Sequence, residues 1–166
     1  MRTRVVNIHK ITQEKRFDGS FYNAEINIYN DVIGMHSSHN LDYYCHRIYT
    51  SGRNKRVYTT KEFGYPFLSN SDVSSSYPFN SCNYSSKKYG YDENAVLKGG
   101  LILTGRVGAI GQTAFVPCYW ERYKAMGSDN IIRIQVKNKY KNGFIYAYLA
   151  SKIGNLSFLK HSTGGV

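Results

Sequence analysis

The sequence predicts an α+β fold with a mixed or antiparallel sheet, long polar loops and a C-terminal helix. Two β-prone runs, Leu101–Thr104 and Gln112–Val116, flank a glycine-rich turn and predict paired strands. Ile132, Ile134 and Val136 alternate with polar residues, as in a strand with one face in the core. After Gly143 the apolar spacing becomes that of one helix face, formed by Phe144, Ile145, Tyr148, Leu149 and Ile153.

The elements before these strands are less regular. Val5–Ile8 and Ala24–Tyr29 are β-prone pieces, and Asp31–Arg56 shows no clear period. The segment Ser69–Lys88 is rich in serine and asparagine, which predicts a long surface loop without a packed core. At the other end, Gly154 is expected to close the C-terminal helix as a C-cap, and a short helical turn is expected near 156–159.

Length and hydropathy predict one domain over residues 1–166. A chain of 166 residues with 42% hydrophobic content can bury a sizeable core. No apolar run approaches the roughly 18 residues that span a bilayer, and the N-terminus lacks the apolar stretch of a signal peptide. We therefore expect a cytoplasmic protein that does not contact a membrane.

The charge balance predicts an anionic partner. Lysine and arginine total 22 against 11 acidic residues, for a net charge of +11 and a pI near 9.6. Basic residues cluster in three stretches: Arg53, Lys55 and Arg56; Lys87 and Lys88; Lys137, Lys139 and Lys141. Together with 16 tyrosines, this dispersed charge favours a folded nucleic-acid-binding surface, although tyrosine also suits half-buried strand positions.

The cysteines and histidines do not form a recognisable metal site. Cys45, Cys82 and Cys118 are far apart, with no C-x-x-C pair, and are expected to be reduced and mostly buried. A cluster of His36, His39, Cys45 and His46 offers zinc-ligand chemistry, but its polar neighbours indicate an exposed loop. We expect no metal, and an enzyme using this cluster with a metal is the third-ranked alternative.

The sequence lacks the motifs of nucleotide-binding proteins, metal-dependent nucleases and amino-methyltransferases. Gly105, Gly108 and Gly111 have the spacing G-x-x-G-x-x-G, which fits a tight connection between strands and neither the dinucleotide nor the phosphate-loop motif. No acidic residue has lysine two positions later, as a metal-dependent nuclease needs, and the three prolines are isolated, unlike the P-P pair of amino-methyltransferases. The chain is expected to catalyse nothing by itself.

The stretch Lys98–Gly111, an apolar strand followed by a G-x-[VE]-G-x-I-G turn, resembles the target-recognition domain of type I restriction-modification specificity subunits. Four other segments resemble that family in the same order: Arg16–Tyr22, Gly127–Ile134, Gly143–Ser151 and Ser162–Val166. Residues 31–95 are unmatched in detail, as suits a region that varies with the DNA sequence read.

The resemblance implies specific binding of double-stranded DNA and partnership with modification (methyltransferase) and restriction subunits. It implies no cofactor in this chain, because S-adenosylmethionine would bind the modification subunit. Complete subunits of the family hold two such domains joined by long spacer helices, so we expect this chain to be one half of such a subunit. The alternative is a basic domain that binds RNA or the ribosome without a base-edge code.

If DNA is the ligand, polar loop residues read base edges and basic residues hold phosphates. The candidates for base reading are Asn70, Ser71, Asp72, Arg106 and Gln112. The candidates for phosphate contact are Arg53, Lys55, Arg56, Lys87 and Lys88. The alternative for each is an ordinary solvated side chain, and for Arg106 a structural role in its turn.

Overall fold

A computed structural model describes residues 5–16, 21–22, 24–36, 38–53, 55–108 and 110–162. The helices in these residues are α1 (Ile8–Glu14), α2 (Ala24–Gly34), α3 (Asn70–Val73), α4 (Lys139–Ala150) and α5 (Lys152–His161), with 3₁₀ turns at Leu41–Tyr44, Glu93–Ala95 and Cys118–Tyr123. The strands are β1 (Cys45–Tyr49), β2 (Tyr58–Thr59), β3 (Gly64–Leu68), β4 (Asn83–Ser86), β5 (Ile102–Gly105), β6 (Thr113–Phe115), β7 (Met126–Gly127) and β8 (Ile131–Val136).

The central sheet has the strand order β1-β8-β5-β6, and each of its pairings is antiparallel. β5 pairs with β6 across the glycine turn, which confirms the predicted hairpin. On its other side β5 pairs with β8, where Ile102 lies opposite Ile134 and Gly105 opposite Ile131. The turn after β5 and the start of β8 therefore lie at the same end of the sheet.

A second sheet has the order β2-β4-β3-β7 and contains both pairing types. β3 runs antiparallel to β4 and parallel to β7, where Leu68 pairs with Gly127. With two sheets, one of them mixed, and helices at the C-terminal end, the predicted α+β class is confirmed.

The central sheet is buried on both faces. A core around Leu68, Leu97 and Leu103 joins it to the second sheet, and Ile102, Ile134 and Ile145 form another core between it and α4. The predicted apolar face of β8 is therefore core, but its opposite face is also covered. As a result Arg133, which alternates with the apolar residues, is fully buried.

The N-terminal β prediction is wrong, because Val5–Ile8 leads into helix α1 and Ala24–Tyr29 lies in helix α2. Helix α2 is favoured by Glu25 in its first turn, and the Tyr29 hydroxyl donates to the Glu25 carboxylate one turn back, 3.1 Å away. Contacts four residues apart stabilise a helix, whereas the sequence-based prediction weighed only strand propensity.

The segment predicted to be irregular, Asp31–Arg56, contains the end of α2 and strand β1. The sequence of β1 shows no alternation of apolar and polar residues because β1 is an edge strand in which Cys45 alone is buried. The loop prediction for Ser69–Lys88 also needs correction, since the segment includes α3 and β4, and Val73 and Cys82 enter the core.

The C-terminal region is two helices instead of one, and the turn expected at 156–159 is part of the second. Gly154 is not a C-cap. Helix α4 ends at Ala150, and the hydroxyl of the next residue, Ser151, accepts from the Gly154 N–H and caps the start of α5. Ile145 and Leu149 are buried as predicted, but Phe144 is 76% exposed.

Residues near the N-terminus pack against α5. The Arg16 guanidinium donates to the Ser162 carbonyl at 3.1 Å, and Glu25 forms an ion pair with Lys152. Of the segments that carried the family resemblance, residues 17–20 and 163–166 lie outside the described residues.

Candidate nucleic-acid interface

Three polar segments meet at one end of the central sheet, which we call the loop end. They are the 105–111 turn after β5, the 127–131 turn before β8, and α3. The Arg106 N–H donates to the Asn130 carbonyl at 2.8 Å, and the Asn70 side-chain amide donates to the Val107 carbonyl at 2.7 Å. The loop end therefore brings together segments that are far apart in the sequence.

The glycine turn is a tight connection, as its spacing predicted. Gly108 and Gly111 have φ of 78° and 79°, a region that favours glycine. The Gly105 N–H donates to the Gln112 carbonyl at 3.2 Å and closes the base of the turn. The side chains of Arg106 and Gln112 are both exposed, while their main chains hold the turn.

The α3 candidates are engaged in local hydrogen bonds. The Asp72 carboxylate accepts from the Ser69 N–H at 2.8 Å and the Ser69 hydroxyl accepts from the Asp72 N–H at 3.3 Å, which is a capping box. The Ser69 hydroxyl also lies 2.6 Å from the Asp72 carboxylate and 2.8 Å from the Ser71 hydroxyl. Asn70 uses its amide N–H on Val107, and its amide oxygen is buried with no hydrogen-bond partner among the described residues. Base reading by these three residues remains a prediction, and for Asp72 it would compete with the hydrogen bonds to Ser69.

Both of the predicted phosphate-binding arginines converge on one carboxylate of the loop end. Arg56 Nη2 lies 2.6 Å from Asp129 Oδ1, and Arg53 Nε lies 3.6 Å from Asp129 Oδ2. Burial alone would raise the pKa of Asp129, but the hydrogen bond from Arg56, with its own backbone hydrogen bond and both arginine charges, lowers it overall. Lys55 is exposed nearby.

Lys87 and Lys88 do not join this group. They follow Ser86, which pairs with Gly64 at the start of β3, whereas Asp129 follows Gly127, which pairs with Leu68 at its end. The length of β3 separates the two sites by about 13 Å. Lys87 Nζ donates to the Glu62 carbonyl at 2.9 Å and lies 5.6 Å from the Tyr65 ring centroid.

Sequence reasoning missed two residues at the loop end. Asp129 entered the sequence analysis only as one residue of the segment Gly127–Ile134. Nothing in the sequence around it indicated that two arginines would bind its carboxylate. Arg133 was assigned to a polar strand face. It is instead enclosed, with its guanidinium donating to main-chain carbonyls.

The histidine cluster does not assemble. Within the described ranges no group of three or more histidine, cysteine or acidic residues could hold a metal ion. His39 stacks on Tyr43 with ring centroids 4.2 Å apart. Cys45 and Cys82 are buried, and burial raises the pKa of both thiols, whereas Cys118 is exposed.

No helix in the part of the chain that the structure describes is both long and apolar enough to cross a membrane.

A basic α+β domain whose polar loops converge at one end of a sheet has the form of a nucleic-acid-recognition domain. Residues 48–165 match the family model of the type I restriction modification DNA specificity domain, and the chain belongs to that family. The match begins within β1 and includes the rest of both sheets, α4 and α5. A search of curated proteins found no match. The predicted family is confirmed, and with it a role in the DNA sequence specificity of type I restriction-modification.

Proposed function

We propose that this chain is a target-recognition domain that binds double-stranded DNA with a sequence preference and catalyses nothing itself. Methylation and cleavage then fall to separate modification and restriction subunits, with S-adenosylmethionine bound by the modification subunit. The proposal places the chain in the cytoplasm with the DNA that it would read. The observation that carries the proposal is the convergence of three polar segments at the loop end of the central sheet, within the residues that match the family model. These segments are the 105–111 turn, the 127–131 turn and α3.

Arg106 and Gln112 are the strongest base-reading candidates. Both side chains are exposed on a turn whose backbone is fixed by hydrogen bonds to Asn130 and across the turn. Arginine pairs with the O6 and N7 edge of guanine, and glutamine with the N6 and N7 edge of adenine, in the major groove. A pre-formed turn reduces the entropy lost when these side chains bind, which favours specific contact.

Arg53, Lys55 and Arg56 would hold phosphates beside the loop end. Contacts to the DNA backbone fix register and orientation without reading sequence, so their place next to the base-reading turn is favourable. Lys87 and Lys88 remain candidates for phosphate contact on a separate part of the surface.

Selection from a random duplex library tests the proposal. Recovery of duplexes that share a short motif supports it. Equal recovery of all duplexes, together with tighter binding to RNA, would refute it and favour the RNA-binding alternative. The selected duplex and a scrambled duplex of equal length then provide the specific and non-specific probes for variant proteins.

A further inference from the structure

Arg133 is the largest fully buried side chain among the described residues, and main-chain oxygens hold its charge. Its Nη1 donates to the Ile131 carbonyl at 2.9 Å and to the Ser128 carbonyl at 3.4 Å. Its Nη2 donates to the Gly127 carbonyl at 2.6 Å and to the Ala95 carbonyl at 3.3 Å. Burial of a guanidinium is costly, so these bonds offset a large desolvation penalty.

Three of the four carbonyls belong to one turn. Gly127, Ser128 and Ile131 bracket the 127–131 turn, and Ala95 ties that turn to the segment that follows β4. The guanidinium is planar and rigid, so it fixes all three turn carbonyls at once. Lysine has the same charge but no such fork, and it cannot reproduce the arrangement.

The two residues inside this turn hold the candidate DNA contacts. The Asp129 carboxylate binds Arg56 and Arg53, and the Asn130 carbonyl accepts from the Arg106 N–H. The buried side chain is therefore linked through one turn to both the phosphate-binding and the base-reading candidates.

We propose that Arg133 is a positioning residue for DNA reading, which fixes the 127–131 turn so that Asp129 orients Arg53 and Arg56 while Asn130 orients the base-reading turn. This inference rests on the proposed function. Arg133 itself does not touch DNA, since no part of it reaches the surface. The close ion pair with Asp129 holds Arg56 in one direction before binding, so less freedom is lost when the correct duplex arrives. Arg53, whose side chain is 93% exposed, is attracted to the same carboxylate more weakly.

A purely structural Arg133 would affect stability alone, so the test needs a readout of specificity. The variants are Arg133→Lys, which keeps the charge, and Asp129→Asn, which breaks the link at the protein surface. The matched control is Asp42→Asn. It makes the same charge change at an exposed residue next to β1, at the far end of the sheet, about 17 Å away along β8.

Binding of the full chain to the selected and the scrambled duplex is measured over a salt titration, with thermal melting in parallel. Arg133→Lys and Asp129→Asn are expected to lower the ratio of the two affinities about tenfold, because a fixed orientation of the arginines favours only the register in which the selected duplex meets the base-reading turn. Asp42→Asn is expected to keep the wild-type ratio. The inference is overturned if either variant is folded and keeps that ratio.

The experiment distinguishes a failure of this inference from a failure of the proposed function. If Arg133→Lys does not fold, Asp129→Asn decides alone, since its side chain lies at the surface edge of the network. If the wild type itself shows no preference between the duplexes, the proposed function fails and this inference fails with it. If the wild type shows a preference that Asp129→Asn retains, this inference alone is lost.

Discussion

Replacing Gly154 with alanine should destabilise the protein, even though alanine has the higher helix propensity. A Cβ at this position in α5 would lie 2.4 Å from the Tyr148 carbonyl oxygen and 2.6 Å from the Leu149 Cα. Both atoms are backbone of α4, so they cannot rotate away. Gly143, inside α4, is the matched control, since an alanine methyl at that position would meet no described atom within 4 Å outside the backbone of its own helix turn.

The magnitudes follow from these contacts. Alanine in place of glycine in a helix interior contributes up to about 1 kcal/mol, which is the expected gain for Gly143→Ala. Overpacking a well-packed site costs about 1 to 3 kcal/mol, and contact with backbone places Gly154→Ala near the upper end. The net expectation for Gly154→Ala is a loss of about 1 to 2 kcal/mol in the free energy of unfolding.

Urea and thermal unfolding of the wild type and both variants measure the effect. For a domain of this size, 1 kcal/mol corresponds to a shift of about 2 to 4 °C in Tm, so Gly143→Ala should melt above the wild type and Gly154→Ala below it. A Gly154→Ala variant as stable as the wild type would show that α4 and α5 do not cross as closely as these distances require.

Three other predictions concern binding and pH. Lys55→Ala should weaken binding to the selected and scrambled duplexes equally and reduce the slope of log affinity against log salt by about 0.9; an unequal loss would argue for base contact. Arg106→Ala should relax one position of the selected motif at about 1 to 3 kcal/mol with Tm unchanged, because its exposed side chain is not what holds the turn; a loss of Tm would support the structural alternative. The lowered pKa of Asp129 means that its ion pairs stabilise the fold fully above the pKa of the unfolded chain, near 4, and are lost as the pH falls through the folded value. The difference in unfolding free energy between wild type and Asp129→Asn should therefore shrink below about pH 4, and a difference that stayed constant to lower pH would contradict this reasoning.

The sequence predicted those elements whose signal is local. The β5–β6 hairpin carries its own glycine turn, and β8 its own alternation, so neither depends on distant contacts. The edge strand β1 was missed because its state is set by a partner strand, whereas helix α2 was missed because strand propensity was weighed above the contact between Glu25 and Tyr29. β1 forms by pairing with β8, and α2 lies against α5 through Glu25 and Lys152.

The candidate site likewise contains residues that the sequence could predict and residues that it could not. Residue type was enough to propose Arg106 and Gln112, which the fold leaves exposed on the glycine turn. Composition could not separate Arg56, which binds Asp129, from Lys87, which lies at the other end of β3. Nor could it identify Arg133, because a charged residue within an alternating strand predicts a solvated face unless a second layer covers it.

The main chain of the loop end is held independently of the side chains at positions 106 and 112. The 105–111 turn is fixed by the main-chain N–H groups of Gly105 and Arg106 and by the Asn70 side-chain amide, and Gly108 and Gly111 adopt a positive φ. Main-chain bonds do not depend on which side chain a residue carries, and surface substitutions usually change stability by no more than about 0.5 kcal/mol. We therefore expect positions 106 and 112 to accept other polar side chains while the buried Arg133 and the two cores keep the turn in place. Under the proposed function, such substitutions would change the base preference.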